Sequence, residues 1–245
     1  MESERIALIT GAAGVMGFAT ARRLHDDGCQ VVLVDIDRAQ LEDKAARLGD
    51  GAFVRVMNVS SPTEVSEVMA AIASEIGEID ILVNNAGILS KNKALQTTPA
   101  EWHEVLKVNL DGAFYLAQAV IPSMRRKRFG RIINTCSLAS KTGGITAGTA
   151  YSVSKGALVA LTCTLAAETA AFGITVNGIA PAYVRTPMIT EQLSDEERAM
   201  LLDKIPVHRF CEPEEFAHVV SFLAHPLAGF ITGEIIDQNG GLHFD

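Results

Sequence analysis

The sequence is poor in cysteine and has no excess of positive charge. Its four cysteines, Cys29, Cys136, Cys163 and Cys211, lie far apart and form no C-x-x-C pair, which argues against a zinc knuckle and a disulfide framework. Free thiols fit a reducing compartment, so a cytoplasmic location is expected. Lys and Arg number 21 against 29 Asp and Glu, a formal charge of −8. Because nucleic-acid-binding surfaces are usually basic, nucleic acid is not expected as a partner.

Long apolar runs and dividing segments are also missing. No run approaches the roughly 20 apolar residues that a membrane-spanning helix needs, and residues 1–5 show no signal-peptide pattern, so no membrane contact is expected. No linker, repeat or low-complexity tract interrupts the 245 residues, which predicts one domain over 1–245. No metal is expected either, because no metal-ligand spacing is seen at His103, His208, His225 or His243.

What the sequence does contain is a regular alternation of two patterns. Short β-branched apolar runs alternate with longer segments of helical periodicity, which is typical of a parallel sheet with helices on both faces. The predicted strands are 5–10, 30–35, 52–57, 79–84, 131–136, 174–180 and 234–237. The predicted helices are 15–27, 39–48, 62–76, 99–128, 151–172 and 213–224. The one long irregular stretch, 181–212, contains the predicted substrate loop near 182–212, since such stretches in compact domains are often functional.

The first predicted strand leads into a glycine-rich turn, Thr10-Gly11-Ala12-Ala13-Gly14-Val15-Met16-Gly17. Such a turn lets the backbone approach a pyrophosphate, whose charge is stabilised by free N–H groups at the start of a helix. Asp35 ends the second strand, 18 residues after Gly17, where a carboxylate binds the ribose hydroxyls of NAD and repels the 2′-phosphate of NADP. The pattern predicts NAD as cofactor unless Arg38 compensates. The alternative is an ordinary turn in which Asp37 caps the next helix.

Four further clusters follow along the chain: Asn84-Asn85-Ala86-Gly87, Asn109, Ser137 and Tyr151-Ser152-Val153-Ser154-Lys155. Together with the glycine turn they resemble the short-chain dehydrogenase/reductase family in its single-domain form, over essentially the whole chain. The resemblance implies a doubly wound Rossmann-type α/β fold, with a seven-stranded parallel sheet and the nucleotide at the C-terminal ends of the strands. It also implies an oxidoreductase.

The predicted catalytic group centres on a tyrosine and a lysine. Tyr151 and Lys155 are four residues apart and share one face of a helix. Because a free phenol has a pKa of about 10, a nearby lysine cation is needed to favour the phenolate that takes the proton of an alcohol. By resemblance, Ser137 positions the substrate oxygen, Lys155 also binds the nicotinamide ribose, and Asn109 disrupts its helix and holds a water linked to Lys155. Ser140 is the competing serine.

The resemblance assigns the other cofactor contacts residue by residue. Asn58 and Val59 bracket the adenine, with Asn58 in place of the usual aspartate. Pro181, the backbone of Val184 and the hydroxyl of Thr186 hold the nicotinamide carboxamide. The full predicted cofactor-binding set is Gly11, Gly14, Met16, Gly17, Asp35, Asn58, Val59, Asn85, Ala86, Gly87, Tyr151, Lys155, Pro181, Val184 and Thr186.

Two positions depart from the family pattern. Single-domain members usually have the middle glycine at the position of Val15, whereas Gly14 gives the spacing of larger members that include sugar epimerases. The chain length leaves no room for their second domain. Ala182 replaces the usual glycine, which predicts modest strain if the position requires a positive φ. The motifs do not determine the substrate contacts, for which the candidates are Leu89, Ser90, Lys91, Ala139, Thr142, Ile145, Tyr183, Met188 and the segment 189–208.

The main hypothesis is a NAD-dependent dehydrogenase that interconverts a small-molecule secondary alcohol, such as a polyol or sugar, and its ketone. A 3-oxoacyl-thioester reductase is the alternative, which Asp35 weakens because acyl reduction in the family commonly uses NADPH. A nucleotide-binding scaffold without turnover is the third hypothesis. The predicted helices 99–128 and 151–172 are more apolar than one sheet contact requires, and by resemblance they pair in a homodimer or homotetramer.

Overall fold

A single seven-stranded sheet forms the centre of the computed structural model, which describes residues 4–144, 146–187 and 194–244. The strand order is β3-β2-β1-β4-β5-β6-β7, and every neighbouring pair is parallel. The strands are β1 (Ile6–Thr10), β2 (Gln30–Asp35), β3 (Ala52–Val56), β4 (Ile81–Asn84), β5 (Gly130–Thr135), β6 (Ile174–Pro181) and β7 (Ile235–Gln238). The predicted Rossmann-type α/β fold with seven parallel strands is confirmed.

Helices cover both faces of the sheet because strand side chains alternate between them. In β1, Leu8 packs with the core that contains α3, α5 and α7, while Ala7 and Ile9 pack with the core of α1, α2 and α9. The described helices are α1 (Val15–Asp26), α2 (Arg38–Leu48), α3 (Pro62–Glu75), α4 (Pro99–Leu106), α5 (Gly112–Lys127), α6 (Ala139–Thr142), α7 (Thr149–Thr169), α8 (Asp195–Lys204) and α9 (Pro213–Ala224).

Two segments differ from the sequence-based prediction. The helix predicted over 99–128 is interrupted between α4 and α5 by a π-helical turn, Lys107–Asp111, so the local disruption implied at Asn109 is present. The stretch 181–212, predicted to be irregular, contains helix α8. Ser194 and Glu197 cap its start reciprocally, but Leu201 is its one buried residue, so the apolar periodicity that identifies a helix is weak there.

Within the described part of the chain, one helical stretch, Thr149–Phe172, is long and apolar enough to cross a membrane by length and composition alone. It comprises α7 and a short 3-10 turn, Ala170–Phe172. Leu165 and Ala166 of this stretch lie in the core beside the sheet, and Lys155 is buried on it. Its apolar composition is therefore accounted for, at least in part, by its position as a core helix.

Candidate active site

The sheet order reverses between β1 and β4, and the loops after these two strands meet at the carboxyl edge of the sheet. In such sheets the crevice at the reversal binds the ligand. Here the Thr10 hydroxyl accepts hydrogen bonds from the backbone N–H groups of Asn85 and Ala86, at 3.0 Å each. The Asn85 side-chain amide donates to the carbonyl oxygen of Thr10 at 3.0 Å. The Asn85-Ala86-Gly87 segment thus supports the glycine turn.

The glycine turn has two positions that admit no side chain. Gly11 has φ of +66°, and a Cβ on it would lie 2.9 Å from the Cα of Ala86. A Cβ on Gly17 would lie 2.2 Å from the carbonyl oxygen of Gly11. At Gly14 the corresponding distance to that oxygen is 3.3 Å, a tight contact that a small movement of the oxygen would relieve. The turn therefore depends on Gly11 and Gly17, and Gly14 caps α1 without a side chain at the helix N-terminus.

Asp35 lies against this turn at the end of β2. Its carboxylate accepts a hydrogen bond from the backbone N–H of Ala13 at 3.2 Å, so the carboxylate and the glycine turn border the same end of the crevice. Asp37 caps α2 by accepting from a backbone N–H in its first turn. Asp37 therefore caps α2 while Asp35 lies at the crevice, so the two interpretations of this turn are compatible. Arg38, the cation considered as a compensator, pairs on the exposed surface with Glu42 at 3.5 Å.

The predicted adenine-contacting residues follow β3. The side-chain oxygen of Asn58 accepts from the backbone N–H and the hydroxyl of Ser60, at 3.0 and 2.9 Å. The Val59 side chain is buried in the core, and a Cβ on Gly112 in α5 would lie 2.9 Å from it. The Val59 side chain therefore belongs mainly to the core of the fold.

One cavity of about 320 Å³ collects most of the predicted catalytic and nicotinamide-side residues at the carboxyl ends of the central strands. Ser137 follows β5, while Tyr151 and Lys155 project from the first turns of α7. The predicted residues that line this cavity are Met16, Asn85, Gly87, Ser137, Tyr151, Lys155, Pro181, Val184 and Thr186.

Tyr151 and Ser137 form the polar centre of this cavity. Burial raises the pKa of the Tyr151 phenol, and its hydrogen bond with the Ser137 side chain opposes that rise. The Ser137 hydroxyl oxygen also accepts from the backbone N–H of Ala139 at 3.1 Å. The competing Ser140 instead donates its hydroxyl proton to the carbonyl oxygen of Ser137 at 2.6 Å. Of the two serines, Ser137 is the one that contacts Tyr151.

Lys155 is buried deeper in the same cavity, with 4% of its surface exposed. Its ammonium donates to the carbonyl oxygen of Thr135 at 2.6 Å and lies 5.7 Å from the centre of the Tyr151 ring. Because burial disfavours the charged form, the pKa of Lys155 falls from 10.5 to about 8. Burial therefore weakens the preference of Lys155 for its charged form.

Asn109 lies behind the cavity wall in the π-helical turn and is 2% exposed. Its side-chain oxygen accepts from the backbone N–H of Ile88 at 2.8 Å, and its amide donates to the Ser154 hydroxyl at 3.0 Å. A Cβ on Gly87 would lie 3.2 Å from the Asn109 oxygen and 3.5 Å from the Lys155 nitrogen. A side chain at Gly87 would therefore occupy space beside both the Asn109 oxygen and the Lys155 nitrogen.

The predicted substrate contacts divide into three groups. Leu89, Ala139, Thr142 and Tyr183 line the cavity. Ser90 and Lys91 are not among the lining residues. Ser90 is buried and its hydroxyl donates a hydrogen bond to the Glu101 carboxylate, whereas Lys91 is exposed. Ile145, Met188 and residues 189–193 of the segment 189–208 lie outside the described residues.

Lys204 at the end of α8, within the predicted segment 189–208, also lines the cavity. Leu242 in the C-terminal tail lines it as well and was not predicted. No local sequence motif marks Leu242, because it reaches the cavity through long-range packing. Ala182 is not strained as expected: among the described non-glycine residues, positive φ occurs at Arg128 and His208.

The doubly wound sheet, the glycine turn and the Ser137, Tyr151 and Lys155 cavity define a class of nicotinamide-dependent oxidoreductases that act on CH–OH groups. The chain belongs to the short-chain dehydrogenase/reductase family. A family model described as enoyl-(acyl carrier protein) reductase matches residues 11–243.

Similar proteins span nearly the same length. The chain is 39% identical over 239 residues to the 3-oxoacyl-(acyl-carrier-protein) reductase FabG of Haemophilus influenzae, covering 98% of each. It is 38% identical over 240 residues to the FabG of Vibrio cholerae, covering 98% of this chain and 97% of the relative. The FabG of Thermotoga maritima is 36% identical over 241 residues, with 97% of each covered.

Proposed function

We propose that this protein interconverts a 3-oxoacyl thioester and the corresponding 3-hydroxyacyl thioester, with NAD(H) as the hydride carrier. The observation that carries the proposal is the match, at 36–39% identity and over nearly the whole chain, to proteins named for 3-oxoacyl reduction. The alternative considered from the sequence is therefore preferred to the polyol or sugar hypothesis.

The walls of the cavity also favour an acyl substrate. Much of the lining is apolar and includes Ile88, Leu89, Leu138, Val184 and Leu242. A polyol carries a hydroxyl on each carbon, and every hydroxyl buried without a partner costs free energy. An acyl chain has no such requirement beyond the reacting oxygen, so it suits these walls better.

The proposed chemistry uses two side chains on the substrate oxygen and a third that acts on one of them. During reduction the carbonyl carbon gains a hydride, which the bound nicotinamide supplies. Tyr151 gives its hydroxyl proton to the oxygen as the carbonyl double bond becomes a single bond, and the Ser137 hydroxyl donates a hydrogen bond to the same oxygen. The Lys155 cation stabilises the phenolate left on Tyr151. Asn109 orders the wall beside Lys155, where the proton returns from solvent.

Residues of the crevice fit a nicotinamide dinucleotide. Gly11 and Gly17 let the turn pack tightly at the start of α1, where free N–H groups can bind a pyrophosphate, and Lys155 lines the cavity that holds the predicted nicotinamide-side residues. NAD is proposed over NADP because the Asp35 carboxylate lies at the ribose end and would repel a 2′-phosphate. Arg38 is engaged by Glu42, which weakens its case as a compensating cation.

One assay tests both the proposed substrate class and the proposed cofactor. It follows the reduction of acetoacetyl and longer 3-oxoacyl thioesters at 340 nm, with NADH and with NADPH. A panel of polyols, sugars and simple secondary alcohols with NAD⁺ is run in parallel. Thioester turnover with a preference for NADH is expected. Turnover of polyols alone would replace this proposal with the dehydrogenase hypothesis. Cofactor binding in calorimetry without turnover of any substrate would favour the scaffold.

We also propose a cytoplasmic homodimer or homotetramer. Phe114 of α5 and Val153 of α7 are exposed apolar side chains, each about two-fifths accessible, on the helices expected to pair. Light scattering at micromolar concentration is expected to give a multiple of the 26.2 kDa chain mass, and a monomer mass would refute the assembly.

A further inference from the structure

A second cavity of about 540 Å³ adjoins the active-site cavity. Ala182 and Tyr183 line both. At the end of α8, Lys204 lines the active-site cavity and its neighbour Ile205 lines the second one. Three short segments, at residues 182–183, 204–205 and 241–243, therefore form the wall between the two spaces.

The third segment belongs to the C-terminal tail, which follows β7. Leu242 faces the active-site cavity, whereas Gly241 and His243 on either side of it line the second cavity. Leu242 packs with a small apolar cluster centred on Leu201, Ile205 and Phe210, to which Tyr183 also belongs. The Leu242 side chain thus forms part of the active-site cavity wall beside α8.

The tail is held in this position by its own hydrogen bonds. The buried Asn239 side chain donates to the carbonyl oxygen of His243 and accepts from the N–H of Gly241, both at 2.9 Å. Gly240 and Gly241 have φ of +63° and +88°, values that favour glycine. A Cβ on Gly240 would lie 2.8 Å from the Val207 side chain. The tail is therefore a built turn that aims Leu242 at the cavity.

We infer that Leu242, supported by Tyr183, is a specificity-determining residue that limits the length of the acyl chain. This inference rests on the proposed function for its natural substrate class. In this role Leu242 limits the active-site cavity on the side of α8, so short 3-oxoacyl chains fit and longer chains meet the side chain. The second cavity lies directly behind, and trimming Leu242 connects the two spaces for a longer chain.

The test compares Leu242→Ala and Leu242→Phe with the wild type and with Leu227→Ala. Leu227 is a matched control, because it is 89% exposed in a short 3-10 turn outside both cavities. Values of kcat/KM are measured for 3-oxoacyl thioesters of four, eight and twelve carbons with NADH, and for 2-alkanols of four, eight and twelve carbons with NAD⁺. The alkanol series reads chain length without a thioester.

The wild type and Leu227→Ala are expected to prefer the shortest substrates. Leu242→Ala is expected to raise the ratio of eight-carbon to four-carbon kcat/KM by about tenfold or more, the size of effect that a few methylene groups produce in a pocket. Leu242→Phe is expected to lower that ratio. The two variants act in opposite directions, so one that fails to fold does not remove the test.

Identical length profiles in the wild type, Leu242→Ala and Leu242→Phe would overturn the inference. Thioesters that are not reduced, together with an alkanol profile that shifts in Leu242→Ala, would refute the proposed function and leave the role of Leu242 standing. Wild-type turnover of neither series would overturn both.

Discussion

The ammonium nitrogen of Lys155 lies 5.7 Å from the centre of the Tyr151 ring. Both side chains leave the same face of α7 one turn apart, and burial moves both pKa values toward the neutral forms, downward for the lysine and upward for the tyrosine. Burial in the cavity therefore disfavours the charged form of each side chain.

Replacing Lys155 by methionine is expected to stabilise the protein at pH 7. The folded-state pKa of about 8 lies below the ordinary 10.5, so the unfolded chain binds the proton more tightly. The resulting loss of stability of the folded protein is complete below pH 8 and declines as the pH rises toward 10.5. The gain is at most about 3 kcal/mol, less about 1 kcal/mol for the carbonyl of Thr135 that loses its donor.

Urea unfolding at pH 7 and pH 10 measures this gain, with the exposed Lys91→Met as control. The difference between Lys155→Met and the wild type is expected to shrink at the higher pH. A variant that is less stable than the wild type at pH 7 would show that the lysine supports the fold.

Tyr151→Phe is expected to lower kcat by about 10²–10⁴-fold, the usual contribution of a positioned acid or base. The ring remains, so cofactor binding is expected to persist in calorimetry while turnover is lost. Tyr115→Phe is the control, because this tyrosine packs against the core of α5 away from the cavity. Wild-type turnover in Tyr151→Phe would assign the proton transfer to another group.

The rate of alcohol oxidation is expected to rise with pH and the rate of ketone reduction to fall, since oxidation requires the Tyr151 phenolate and reduction requires the phenol. The Ser137 hydrogen bond lowers the pKa of Tyr151 against the effect of burial. In Ser137→Ala the rise in the oxidation rate should therefore move to higher pH. Profiles of kcat/KM from pH 6 to pH 11 measure the shift, and a midpoint that stays in place or moves to lower pH contradicts this role.

The sheet and the placement of Tyr151 and Lys155 in one cavity could be predicted from the sequence because their signals are local. Strands β1 and β2 consist mainly of apolar residues, and Tyr151 and Lys155 share a helix face through their spacing alone. Helix α8 was missed because little of it is buried. Leu242 could not be predicted, since it reaches the cavity only through the fold that brings the tail beside Leu201 and Tyr183. Local pattern cannot report such contacts.

Asp35→Ser is expected to shift the cofactor preference from NAD toward NADP by about tenfold to hundredfold, a change of about 1.4–2.8 kcal/mol. The substitution removes the charge that repels a 2′-phosphate and keeps a polar group near the Ala13 N–H. Asp37→Ala is the matched control two residues away. It loses the cap of α2, which costs about 1 kcal/mol of stability, and should leave the NAD to NADP ratio of kcat/KM unchanged. An unchanged ratio in Asp35→Ser would exclude this carboxylate as the selector.

Gly17→Ala and Gly14→Ala are expected to differ sharply although the two glycines belong to one turn. The new Cβ at Gly17 would lie 2.2 Å from the backbone carbonyl oxygen of Gly11, so the turn must move. A loss of about 1–3 kcal/mol in the free energy of unfolding is expected, with NAD affinity reduced as the N–H groups leave their positions.

At Gly14 the Cβ would lie 3.3 Å from the carbonyl oxygen of Gly11, and φ is −74°. Because any residue adopts that φ, the thermal midpoint of Gly14→Ala should stay near that of the wild type and its NAD affinity should change by no more than about threefold, roughly 0.6 kcal/mol. Calorimetric titration with NAD and thermal unfolding of both variants measure these effects, and equal losses in the two would show that Gly14 is as necessary to the turn as Gly17.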